Sequence, residues 1–204
     1  MSSQIALPLV TARGAETVIT GPALDPVIAA LQNAADWPFR TAILTGPPRS
    51  GKSLLARWFV ESGAGEVIDG ADSLPENDVF HVWNRAQADG RPLLLVSDRP
   101  RGEWKIMLPD LASRLGAALL VEIGAPDDDL VAGLLMEHAL RRGIVLGEAV
   151  LAYLLPRVER SYAEIELLIE TLDRLSLERK SPVTISLARD ALAERTGEFQ
   201  PRLL

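Results

Sequence analysis

The sequence predicts an α/β fold: a parallel P-loop-type sheet of about four to five strands, followed by an all-helical C-terminal region. Three observations predict it. Short apolar runs alternate with helical stripes as far as residue 125. A phosphate-loop consensus stands between the first of these runs and a helix. After Ala125-Pro126 only helical patterns remain.

Residues 1–13 read as a short, free, extended arm. Asp25-Pro26 offers an N-cap and N1 pair, followed by Val27, Ile28 and Leu31 at helical spacing. TAILTG (41–46) is a short apolar run ending in glycine and reads as a buried parallel strand. The spacing then predicts a helix from Gly51 through Glu61, with Leu54, Leu55, Trp58 and Phe59 on one face. EVIDG (66–70) is a second short strand, and Pro75 opens a helix with the stripe Val79, Phe80, Trp83 and Ala86. PLLLVSD (92–98) and AALLVEIG (117–124) complete the strands. Strands alternating with helices imply right-handed crossovers and a parallel sheet covered on both faces.

Beyond the boundary the pattern predicts helices over 127–142, 147–158, 161–179 and 184–196. Asp127, Asp128 and Asp129 suit a first turn, where the helix dipole favours negative charge. Gly143 and Gly147 suit breaks between elements. The chain therefore divides into an arm (1–13), an α/β core (14–125) and a helical domain (126–204).

Composition bounds the function. With 204 residues, 48% hydrophobic and 24% charged, the chain is globular rather than disordered. The lack of cysteine excludes disulfides, cysteine nucleophiles and Cys-ligated zinc, and fits a reducing compartment. The N-terminus has no basic n-region and no run approaches the roughly 18 apolar residues of a membrane span, so a soluble, cytoplasmic protein is expected. The net charge is −7 and the basic residues are dispersed, which argues against direct sequence-specific nucleic-acid binding. His81 and His138 have no ligand spacing around them, so no metal is expected there.

Gly46-Pro47-Pro48-Arg49-Ser50-Gly51-Lys52-Ser53 matches G-x-x-x-x-G-K-[ST], immediately after a strand and opening a helix. Backbone N–H groups of such a loop cradle phosphate oxygens, and Leu54 continues the helix N-terminus. Lys52 is expected to reach the β- and γ-phosphates and the Ser53 hydroxyl to ligate magnesium. Gly51 permits a close approach that a side chain would block. Asp69 follows the second strand, where a carboxylate holds magnesium directly or through water; the alternative is a turn residue. The next position, where a second acid usually polarises the attacking water, is Gly70, and Asp72 falls past the strand end. The motif supports nucleotide binding better than turnover.

Ser97–Pro100, Leu108–Leu115 and Gln4–Leu9, taken with the phosphate loop, make the chain resemble the Hda family, DnaA-related AAA+ regulators of bacterial replication initiation. Ser97-Asp98-Arg99-Pro100 follows the third strand at the family's sensor 1 position. Leu108-Pro109-Asp110-Leu111-Ala112-Ser113-Arg114-Leu115 resembles the family's box VII segment. Its leucines at i, i+3 and i+7 bury one face and leave the Arg114 guanidinium free. Gln4-Ile5-Ala6-Leu7-Pro8-Leu9 resembles the peptide by which the family binds the polymerase sliding clamp: a Gln amide for a polar notch and alternate aliphatic side chains for an apolar pocket. The bland alternatives are a turn carboxylate at Asp98, a surface arginine at Arg114 and an edge strand for the arm.

The resemblance covers the whole chain and implies a helical lid after residue 126. It implies ADP or ATP with magnesium as a structural effector, and the DNA-loaded clamp and DnaA as partners. Arg114 would be an arginine finger offered in trans, and a homo-oligomer is compatible. Aligning the lid puts Ala163 where a sensor 2 arginine stands, with Arg160 one turn earlier as its substitute. Between Lys52 and Asp69 lie 16 residues, too few for the strand and helix that family members usually insert, so a trimmed sheet is expected. Competing assignments are a stand-alone P-loop ATPase or small-molecule kinase, and another replisome adaptor such as a helicase loader or clamp-loader subunit.

Overall fold

The computed structural model describes residues 6–11, 14–19, 21–100 and 102–197. The chain opens with two strands, β1 (Ala6–Thr11) and β2 (Gly14–Ile19), in antiparallel register with Ala6 opposite Ile19 and Leu9 opposite Glu16. The arm is therefore extended but not free. Residues 6–11 find backbone partners in 14–19, because an extended segment left alone would carry a row of unpaired N–H and C=O groups. Gln4 and Ile5 lie outside the described residues.

Helix α1 (Asp25–Gln32) is capped at Leu24, one residue before the expected Asp25. Asp25 and Pro26 thus occupy its first two positions, where a missing N–H costs nothing. Val27, Ile28 and Leu31 are its buried stripe. Then follow β3 (Thr41–Thr45), α2 (Lys52–Glu61), β4 (Glu66–Ile68), α3 (Glu76–Ala88), β5 (Leu93–Val96), α4 (Pro109–Gly116) and β6 (Leu119–Glu122). The last four strands form a parallel sheet in the order β4-β5-β3-β6. Ile43 stands opposite both Leu95 and Leu120.

β5 is buried along its whole length, which is why its sequence is an unbroken apolar run. Leu93 and Leu95 join Val79, Trp83 and Ala86 of α3 and Leu111 and Leu115 of α4 in one core cluster. Strand alternation turns Leu94 and Val96 to the opposite face. Trp37 stacks on Phe59 of α2 with ring centroids 5.3 Å apart. α2 ends at Glu61 and β4 begins at Glu66, so no strand intervenes and β4 stands at the sheet edge.

Two compact units divide the chain, one ending at Gly124 and the other taking in everything from Ala125 onward. The second unit is helical: α5 (Asp128–Arg141), α6 (Glu148–Leu154), α7 (Tyr162–Arg179) and α8 (Ile185–Thr196). Leu135, Leu154, Ile165, Ile169, Leu172 and Ala188 form its core. The Asp127 carboxylate caps α5 by accepting the Leu130 N–H at 2.8 Å, and Thr184 caps α8. Gly143 adopts a left-handed φ of 70° just beyond α5, and Gly147 is the N-cap of α6. Among the described residues no helix is long and apolar enough to cross a membrane.

Candidate nucleotide site

β3 delivers the chain to Gly46 at the carboxyl end of the sheet, and α2 takes it away again at Lys52. A Cβ on Gly46 would lie 2.8 Å from Ile123 Cβ and 3.1 Å from Ser50 Oγ, so the junction with the end of β6 accepts only glycine. Gly51 has φ 85° with open space around its Cβ position; backbone conformation, rather than crowding within the chain, selects glycine there. Pro47, Pro48, Arg49 and Ser53 are exposed, Leu54 is half-buried and Ser50 is buried.

Lys52 is only 7% exposed. Its ammonium donates to the carbonyls of Gly46 (2.9 Å) and Pro47 (3.0 Å) and pairs with the Asp98 carboxylate at 3.1 Å. Two buried hydroxyls, Thr45 Oγ1 and Ser50 Oγ, border the loop and have no partner among the described residues. Orphaned buried donors beside a buried cation suit a polyanion, and these residues fit a nucleotide's phosphates.

The acidic side of the site differs from expectation. Asp69 is exposed at the end of β4, and Gly70 follows in a left-handed conformation with φ 67°. That residue starts a 3₁₀ turn, Ala71–Ser73, which carries Asp72 back to the end of β5. The Asp72 side chain is 3% exposed; it accepts the Asp98 N–H at 3.2 Å and pairs with Arg99 Nε at 3.3 Å. The Ser97 hydroxyl accepts the Arg99 N–H, so the 97–99 loop is fixed from two directions. Asp98 is therefore the carboxylate brought onto Lys52, and Asp72 is a site residue that strand-end reasoning missed. Its only local signal was a glycine that could reverse the chain after β4.

Arg114 lies in the last turn of α4, whose Leu111 and Leu115 are buried as expected. The entry to α4 is fixed by Glu76, which accepts the N–H groups of Met107 (2.8 Å) and Leu108 (2.6 Å). The guanidinium is not free, contrary to the leucine spacing alone. It lies 4.6 Å from the Phe80 ring centroid and 4.3 Å from that of Trp83, and donates to Asn84 Oδ1. A half-exposed cation over aromatic faces is attracted by their π density.

In the helical unit, Arg160 pairs with Asp128 at 2.6 Å, both exposed, and Ala163 sits in the first turn of α7. His81 is exposed and His138 half-buried; among the described residues no cluster of three or more His, Asp or Glu could hold a metal.

Domain III of the replication initiator DnaA from Thermotoga maritima has the same fold: TM-score 0.69 at 16% identity, covering 86% of this chain and 93% of that one. Residues 127–192 match the family model of the Hda lid domain. A stretch matching the Hda lid thus stands on a chain with the fold of DnaA domain III. AMPPCP-bound DnaA from Aquifex aeolicus is similar to this chain at TM-score 0.59 and 18% identity, over 80% of this chain and 67% of that one. The Thermotoga maritima RuvB branch-migration motor shares the AAA+ fold at TM-score 0.59 and 15% identity, over 84% and 68%. The lid match falls within the helical unit, and the parallel sheet lies in the part of the chain that precedes it.

Proposed function

We propose that this Hda-like protein controls chromosome replication initiation, acting with the DNA-loaded sliding clamp to stimulate hydrolysis of DnaA-bound ATP and so prevent re-initiation. The observation that carries this reading is the Hda lid match over residues 127–192. A phosphate loop whose second acidic position is Gly70 supports it, because such a site favours holding nucleotide over turning it over.

The protein's own nucleotide is ADP or ATP with magnesium, a structural effector held by residues 46–54, with Asp69, Asp98 and Arg160 as further contacts. Ser53 and Asp69 supply the magnesium ligands. Lys52 exchanges its loop carbonyls and Asp98 for phosphate oxygens. Residues Gln4–Leu9 bind the clamp; a strand in a two-stranded ribbon keeps one edge open for an added partner. DnaA is the second partner. Arg114 stabilises the charge that builds on the γ-phosphoryl oxygens of DnaA-bound ATP, where a trans-acting arginine acts only during transfer.

The test is hydrolysis of DnaA-bound ATP with clamp-loaded DNA, with and without this protein. Arg114→Ala should keep the fold, ADP binding and clamp binding, yet lose most of the stimulation; GTPase fingers contribute ~10³–10⁵ in rate, an upper range here. Lysine should rescue poorly, lacking the planar fork. Normal stimulation by folded Arg114→Ala refutes the finger.

A further inference from the structure

One helix holds Arg114. Phe80, Trp83 and Asn84 lie at i, i+3 and i+4 on α3 and therefore share a face. The Arg114 guanidinium rests 4.6 Å and 4.3 Å from the two ring centroids and donates to the Asn84 side-chain oxygen. Trp83 is itself anchored: it is 8% exposed, and its indole N–H donates to Thr41 Oγ1 at 3.1 Å. The platform beneath the arginine is part of the core.

A cation–π contact is made to the ring face and needs no hydrogen-bond acceptor. Rings can therefore restrict the group without using the donors that a phosphate needs. Asn84 accepts from one of the five N–H donors, and the residue is half-exposed. The holding acceptor is also neutral: among the described residues no carboxylate pairs with Arg114. A carboxylate there would offset the charge that an incoming anion is meant to meet. We infer that Phe80, Trp83 and Asn84 are positioning residues that present Arg114, its charge uncompensated, to a phosphoryl group outside this chain. The inference rests on the trans-acting reading of Arg114 and adds the device that aims it. An arginine held in one pose loses less freedom on engagement and reaches the transition state more often.

The experiment compares wild type, Asn84→Ala, Phe80→Leu, Arg114→Ala and the Asn84→Ala/Arg114→Ala double variant in hydrolysis of DnaA-bound ATP on clamp-loaded DNA. Each is titrated to separate the maximal stimulated rate from the half-stimulating concentration, and each is checked for ADP affinity and thermal midpoint. Positioning residues should lower the maximal rate about tenfold with little change in half-stimulating concentration, since small misplacements cost up to ~10²-fold. In the Arg114→Ala background, Asn84→Ala should cost nothing more, because its effect runs through the arginine. If Arg114→Ala abolishes stimulation while both α3 variants keep the full rate, the positioning role is overturned and the finger stands. A rise in rate for Asn84→Ala overturns it too, because the contact would then be restraining the arginine. Full stimulation by Arg114→Ala overturns the trans-acting reading, and the positioning role falls with it.

Discussion

Lys52→Ala removes the cation at the centre of the phosphate loop, and the structure sets how much that should cost. The resting ammonium has three partners: the carbonyls of Gly46 and Pro47 and the Asp98 carboxylate. A charge-assisted hydrogen bond contributes about 1.5–3 kcal/mol, so two bonds to phosphate oxygens contribute about 3–6 kcal/mol. Binding must break resting bonds to form them, which places the net loss at the low end, about 10²-fold in affinity at ~1.4 kcal/mol per decade. Stability should suffer less. Asp98 is 80% exposed, so water solvates its carboxylate once the buried lysine is gone. Gly46 is half-buried and Pro47 exposed, so water can replace the ammonium at their carbonyls too, and the cost should stay near that of one charge-assisted bond, about 1.5–3 kcal/mol. Calorimetry with ADP and magnesium, paired with thermal denaturation, reads both quantities. An ADP affinity within about threefold of wild type would refute the lysine's role as phosphate ligand, and a collapse of the thermal midpoint would refute its being mainly a ligand group.

The remaining predictions concern the loop junction, the lid and the arm. Gly46→Ala places a methyl 2.8 Å from Ile123 Cβ; overpacking of this kind should cost about 1–3 kcal/mol in chemical denaturation, and nucleotide binding should be lost with it. Burial lowers the pKa of His138 from its ordinary 6.5, with Arg141 and Arg142 acting in the same direction and Glu166 and Glu137 opposing it. The unfolded chain therefore takes up a proton that the folded chain resists, and stability should fall as pH drops through about 6.5, levelling off once the folded imidazole is protonated. His138→Gln should flatten that stretch of the stability–pH curve, and an unchanged slope would assign it to other groups. Gln4→Ala combined with Leu7→Ala should abolish clamp binding without lowering the thermal midpoint of the core; unchanged clamp affinity would remove the peptide from the interface.

What the sequence determined by itself was local. Alternating apolar runs and 3.6-residue stripes located the sheet strands and all four lid helices to within a few residues, because both periodicities are written in residues no more than one turn apart. The phosphate loop was legible for the same reason: Gly46, Gly51, Lys52 and Ser53 sit on one short strand–loop–helix connection. The Asp127 cap needed only the next three residues. Tertiary structure decided the rest. Asp72 meets Asp98 across 26 positions, and Arg114 meets Asn84 across 30. The first contact depends on β4 and β5 being neighbours in the sheet, the second on α3 and α4 sharing one core cluster. The pairing of β1 with β2 was likewise invisible in the arm alone, since the arm's own residues say that they are extended and not which segment will take their hydrogen bonds. Periodicity fixes which face a residue occupies, but which other face it meets depends on how the sheet and its helices assemble, and that belongs to the whole chain.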